Sequence, residues 1–408
     1  MAEINERSRR PVEQAPAMRR HGWSRWIVAV AASYRTRPAR IVMARAGRPP
    51  TSPVTSTARG VDGATAPALP WTGPHATPDG VVTIALRLIL LLLGLGVLSN
   101  TATARTLTVG PGQAYATPSL AARAAEDGDT VLIEPGEYFD CAVWNRHRMT
   151  IAGNGPGVVI TDTTCQGKAL FIVRGTDVTI RDLTLTRARV ADGNGAGIRL
   201  EGEGLILERV RFVNNQVGLL SGFVGPGAIR ILDCTFERGG RGGDHPLFAV
   251  WVWGAALLRI ENSTFAGVMG GQISSGTRRT ELIGNRIGTG TGEAPAVAVL
   301  ATNTDLLIED NVLSIGPNAP RLAAAVLVMG EGSVTLRRNR LVNDTRQPAA
   351  MLLHWTGTTP VAADNTVGRG DSVVSTSGVW RHRMSGVYHQ SKDAILGTMR
   401  QVKRWVAP

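Results

Sequence analysis

Two tryptophans on one short alternating run are the side chains best suited to chemistry by contact. In Val250-Trp-Val-Trp253 the indoles share one face of a strand and the valines the other. Outward indoles offer flat, weakly hydrated platforms for sugar rings, unless a loop, the C-terminal tail or a second copy covers them. Gln272, on the next such strand, completes the candidate binding set. For proton transfer the candidates are Arg199 and Glu201, which share a face in Ile198-Arg-Leu-Glu201, and His245, which precedes Pro246 after a Gly-rich turn. Asp192 and Asn194 in Ala-Asp-Gly-Asn-Gly read as turn formers. No Cys/His spacing matches a zinc site, and neither a metal nor another cofactor is expected.

A repeat supplies the elements that must position these residues. Its copies include Ile180-Arg-Asp-Leu183-Thr-Leu, Ile231-Leu-Asp-Cys234-Thr-Phe, Ile308-Glu-Asp-Asn311-Val-Leu and Leu336-Arg-Arg-Asn339-Arg-Leu. The intervals between Leu183, Val210, Cys234, Ser263, Asn285, Asn311, Asn339 and Asn365 are 27, 24, 29, 22, 26, 28 and 26 residues. That period, with β-type alternation and hardly a helical stretch, marks a β-solenoid. Neighbouring coils pair as parallel strands about 4.8 Å apart, so residues at one place in the repeat stack on their counterparts. Asn285, Asn311, Asn339 and Asn365 should form a structural ladder, and Leu183, Val210, Cys234 and Ser263 should make the same column more apolar in earlier coils. Stacking the second strand of each coil predicts six outward pairs: Arg199/Glu201, Leu219/Ser221, Trp251/Trp253, Ile273/Ser275, Ala298/Leu300 and Leu327/Met329.

With this repeat, the opening TLTVGPGQAYATPSLAARAAEDGDTVLIEPGEY over Thr106–Tyr138 resembles the N-terminal cap and first coil of right-handed parallel β-helix proteins, the pectate-lyase-like superfamily. The resemblance covers about residues 106–367. It implies an all-β fold: one right-handed parallel β-helix of about ten coils over 105–370, with a helical N-terminal cap and a C-terminal tail over 371–408. Activity is less constrained, since the superfamily hosts lyases, hydrolases, epimerases and adhesins. Its lyases need an acidic cluster for calcium and an Arg or Lys base, and its hydrolases need paired carboxylates. Neither an Asp-x-Asp pair nor a Gly-Asp-Asp triplet falls on a matching strand. One subfamily is approached more closely, with a Gly-rich turn, a His-Asn pair, an aromatic strand and then Gly-His-x-x-Lys-Ser-Arg. Here Pro246 follows His245, and Gln272, Ser275 and Thr277 replace the subfamily's His, Lys and Arg. A proton-transfer or anion-stabilising role does not survive that exchange unchanged.

The ends differ from the repeat. Residues 1–80 hold twelve Arg and no Lys against five acidic residues, +7 of the chain's +12, and are expected to be disordered. A nucleic-acid or anionic-lipid tail is one reading of that charge; the preferred one starts translation near Val81 or Val82 and expects no nucleic-acid partner. Arg87, the apolar run Leu88–Leu98 and Thr101-Ala-Thr-Ala104 then read as a secretory signal over 81–104 cut after Ala104. Left uncut, the same segment would be a membrane anchor. Cys141 and Cys165 lie one coil apart and are expected to be bridged in an oxidising compartment, with Cys234 a small interior hydrophobe. In the tail, Ile395, Met399, Val402 and Trp405 recur at helical spacing, as a helix over the open end of the solenoid or one lying on a membrane surface.

The combined expectation is an exported, monomeric β-helix protein (periplasmic, outer-surface or secreted) that binds a polysaccharide or cell-surface glycan without turnover. Two alternatives stand beside it: a divergent polysaccharide lyase or related carbohydrate-active enzyme using His245, Arg199 and Glu201, and a structural surface or adhesion module.

Overall fold

The computed structural model describes residues 104–242, 245–268, 271–288, 297–319, 323–355 and 358–376. The segments expected at 1–80 and 81–103, and the tail helix expected over Lys392–Trp405, lie outside the described residues.

Each coil supplies three short strands, and like strands pair coil to coil. Ile180 stacks on Leu207, Leu207 on Ile231 and Ile231 on Ile260, which fixes the register of an eleven-stranded first sheet. A nine-stranded second sheet and a ten-stranded third sheet complete the triangle. The architecture is the right-handed parallel β-helix of about ten turns that the repeat implied, with very little helix.

Between the first and second sheets the chain turns on one left-handed residue. Asp182, Arg209, Asp233, Asn262, Gly284, Asp310, Arg338 and Asp364 all have φ between 49° and 66°. The ladder position follows directly. The N–H groups of Asn285, Asn311 and Asn339 donate to the Oδ1 of the Asn one coil on, at 2.8, 3.0 and 3.0 Å. Their Nδ2 groups reach the opposite way, to the carbonyls of Ile260, Leu282 and Ile308. The column begins earlier, as Cys234 N–H donates to Ser263 Oγ and Ser263 N–H to Asn285 Oδ1. Leu183 and Val210 continue it as buried aliphatics. Burial pushes the Cys234 thiol up to about 12, so it is an inert packing group there.

Two positions after that column, Phe212, Phe236 and Phe265 stack in parallel with ring centroids 4.6 and 4.7 Å apart. Gly197 and Gly218 leave room for them: a Cβ there would stand 2.8 Å from the Phe212 ring and 2.7 Å from the Phe236 ring. At the N-terminal end the helix Pro118–Ala124 buries Pro118, Ala121 and Ala122 over the first coil. Ser119 N–H donates to Asp140 Oδ2 at 2.7 Å and holds the helix start.

Candidate functional site

The third sheet carries Arg199, Trp251 and Trp253, with Glu201 and Gln272 one residue beyond its strands. Its central outward row reads Ile172, Arg199, Leu220, Trp251, Ser274, Leu300, Leu327 and Leu353, each paired with the next. Val250 and Val252 join the main core while Trp251 and Trp253 join a second apolar cluster outside it, as alternation requires. Both indoles are covered, however, at 8% and 9% exposure. Phe248 lies 6.2 Å from the Trp251 ring, and the Trp253 ring fills the space over Gly276, where a Cβ would meet it at 2.1 Å. Neither indole face is open to a polymer in this conformation.

Two of the expected outward pairs are out of phase by one residue. Leu219 and Ile273 point into the core, while Leu220 and Ser274 pair with Trp251 and occupy the outward row. The cause is an irregular residue near the start of these strands. Ala196 pairs with Val217 and Ile198 with Leu219, and the glycine between them faces the core phenylalanines. Ala298 falls at the same place and is also interior, next to Val299. The offset between the two strands is unchanged there, and the register shifts further on, between Leu220 and Phe223 opposite Trp251 and Trp253; alternation counted across either irregularity slips by one.

The proton-transfer candidates are placed unevenly. Arg199 is buried on the outward row; burial pushes its guanidinium pKa down, and Glu201 pulls the other way. Glu201 accepts from Lys168 Nζ at 2.7 Å and Arg174 Nε at 2.8 Å. Burial alone would raise its carboxyl, yet these two cations outweigh it and hold it below the usual range. The Cys141–Cys165 bridge fixes the turn that delivers Lys168, whose N–H donates to the Cys165 carbonyl at 2.9 Å. His245 lies in a two-residue strand paired antiparallel with Arg241–Gly242; its ring lies outside the described part of the structure. Gln272 is fully buried and its Nε2 faces the Val268 carbonyl at 3.4 Å. Ser275 and Thr277 are interior too, hydrogen-bonded to each other and to Thr280 at 2.8–3.1 Å. The positions that carry Lys and Arg in the resembled subfamily thus serve packing here.

A recess of about 460 Å³ on the corner between the second and third sheets was not singled out from sequence. Thr186, Arg187, Arg189, Asn214, Arg238 and Gly267 line it. Asp162, Arg187, Asn214, Arg238 and Gly267 form a second left-handed column, with φ of 61°, 60°, 55°, 52° and 66°. Each of the first four donates its N–H to a carbonyl of the next coil: Thr186, Val213, Glu237 and Ala266. Their side chains therefore stack along the solenoid axis, and Gly267, with none, leaves a notch. Arg187 is anchored by Asp162 at 2.7 Å and Glu137 at 3.0 Å, and Arg189 donates to Asn214 Oδ1 at 2.7 Å. The signal was available in sequence: Arg187, Asn214, Arg238 and Gly267 each lie four residues after a ladder position.

No protein-family model and no curated protein matches the chain. Solved structures similar to it include the PL6 family alginate lyase AlyGC, at 17% identity and a TM-score of 0.40 over 67% of this chain and 40% of that one. The pectin methylesterase PemA from Erwinia chrysanthemi gives 12% identity and 0.35 over 72% and 98%. The pectin methylesterase from carrot gives 13% and 0.35 over 69% and 92%. The chain spans 40% of the length of that alginate lyase. Likeness this distant assigns no activity.

Proposed function

We propose that the protein is exported and binds an acidic glycan or cell-surface polymer along one corner of the β-helix, without turning it over. The observation that carries this reading is the arginine-lined recess beside Gly267. The exposed Arg238 guanidinium presents a fork that matches carboxylates, and the Asn214 amide adds a partner of the kind that recognises sugar hydroxyls. The lining repeats along the axis at about the coil spacing of 4.8 Å, which suits a linear polymer. The Cys141–Cys165 bridge supports delivery to an oxidising compartment. Among the described residues no helix is long and apolar enough to cross a membrane. The ionised state of Glu201 also favours binding, because a general acid must keep its proton near neutrality.

A divergent lyase using Arg199, Glu201 and His245 is the second reading. It has one observation in its favour: burial moves the Arg199 guanidinium in the direction a base requires. A panel of acidic and neutral polysaccharides, scored for retention and for new unsaturated or reducing ends, separates the two. Retention of acidic polymers that weakens with salt, with no product, is the expected result. Product overturns the binding reading in favour of the lyase, and neither retention nor product overturns it in favour of a structural module.

A further inference from the structure

The start of the first sheet holds a carboxylate aimed at a backbone nitrogen. Asp129 is 1% exposed. Its Oδ1 accepts from Arg105 N–H at 2.9 Å and Nε at 3.4 Å. Its Oδ2 accepts from Arg105 Nη2 at 2.7 Å, Arg105 Nε at 3.3 Å and Glu126 N–H at 2.8 Å. The Arg105 carbonyl is fixed as well, taking the Thr130 N–H at 2.8 Å. Ala104, one residue earlier, is exposed. The bond between them is the one that Thr101-Ala-Thr-Ala104 marks for cleavage.

We propose that Ala104–Arg105 is a processing site and that Asp129 is the receptor for the chain end released there. Hydrolysis by an export peptidase that cuts after small side chains adds water across the peptide bond. Ala104 leaves with the new carboxylate, and the Arg105 nitrogen takes up protons to become an α-ammonium group already within hydrogen-bond distance of Asp129. A neutral donor is replaced by a cation facing a buried carboxylate, and charge-assisted bonds are roughly twice as strong as neutral ones. Asp129 then holds both positive groups of one residue. The neighbouring charges are otherwise engaged. Glu126 meets Arg105 Nη2 at 3.5 Å, Asp127 takes the His147 N–H and Arg148, and Arg146 donates to the Ala125 carbonyl. Cleavage thereby strengthens the first coil.

The inference rests on the cleaved-signal reading, and the experiment keeps the two apart. The exported protein is sequenced from its N-terminus. A chain beginning at Arg105 is then compared with one beginning at Thr103, each with and without Asp129→Asn, by hydrogen exchange of the Thr106–Ile133 amides. Sequencing should start at Arg105, and the shorter chain should exchange about tenfold more slowly near neutral pH. An amine paired in the fold has a raised pKa, so the advantage is complete below its ordinary value near 8 and lost as pH rises through the folded value. The advantage should be absent in Asp129→Asn; if that variant fails to form its first coil, the pH dependence decides alone. A first residue other than Arg105 removes the cleavage reading and the receptor with it. A start at Arg105 with equal exchange in both chains at every pH overturns the receptor and leaves export intact.

Discussion

At the scale of single residues, the asparagine column is the clearest link from sequence to stability. Asn311 is 1% exposed, and its side chain serves five bonds: two from Asn285, and three to Leu282, Glu309 and Asn339. Asn311→Leu keeps the branched shape and leaves those groups without partners, so a loss of about 1–3 kcal/mol is expected in denaturant unfolding. An unchanged midpoint would mean that the column does not bear on stability. Asp129 gives a second residue-scale prediction. Burial raises its carboxyl, but bonds from Arg105 and Glu126 bring it down to about 2. Its contribution is therefore complete above the ordinary carboxylate value near 4 and lost as pH falls through about 2. Amide protection in Thr106–Val109 should decline across that window, and a flat profile would refute the assignment. The ladder could be read from spacing alone because Asn and a fixed period leave few alternatives. The left-handed arginines could not. Arg187, Arg209 and Arg338 look like solvated charges in sequence, yet each meets the Asp one coil earlier at the equivalent turn: Asp162, Asp182 and Asp310.

Strands obey the repeat strictly in the first sheet and less strictly in the third than the second-strand count assumed. The first-sheet register follows directly from Ile180, Leu207, Ile231 and Ile260, because nothing interrupts the alternation there. In the third sheet the glycine after Ala196 and Val217 and the extra residue between Leu220 and Phe223 break it, and a period-two count has no means of seeing either. Gly218 shows what the irregular position accommodates. Gly218→Val would drive a side chain into the Ala249 carbonyl and the Phe236 ring, each 2.7 Å from the first added carbon. Overpacking of that kind should cost about 1–3 kcal/mol, read as a lower melting temperature. A variant as stable as the parent would mean that Gly218 is not closely packed against Phe236. The indoles of Trp251 and Trp253 point outward as alternation demanded, but their cover comes from tertiary context that no local pattern encodes. Trp251→Ala should accordingly lose about 3–5 kcal/mol of stability. A melting temperature close to the parent's would show an open indole and restore the platform reading.

For the whole molecule, the fold was legible because a solenoid writes its architecture into its period, whereas the recess depends on side chains that become neighbours only after stacking. Arg187, Asn214 and Arg238 are 27 and 24 residues apart in the chain, and adjacent coils bring them onto one edge. The bridge between Cys141 and Cys165 ties the early coils to this frame, with Cys234 apart and buried. Denatured, unreduced protein should therefore titrate one thiol in three, and three free thiols would remove both the bridge and its support for export. The central claim is binding at the arginine corner, and it is tested most directly by calorimetry of a retained acidic polymer against the parent protein and Arg238→Glu. The reversed charge at the notch beside Gly267 should weaken binding about tenfold while leaving the melting temperature unchanged. Equal affinity in the two proteins would contradict the account and move the polymer site off this corner.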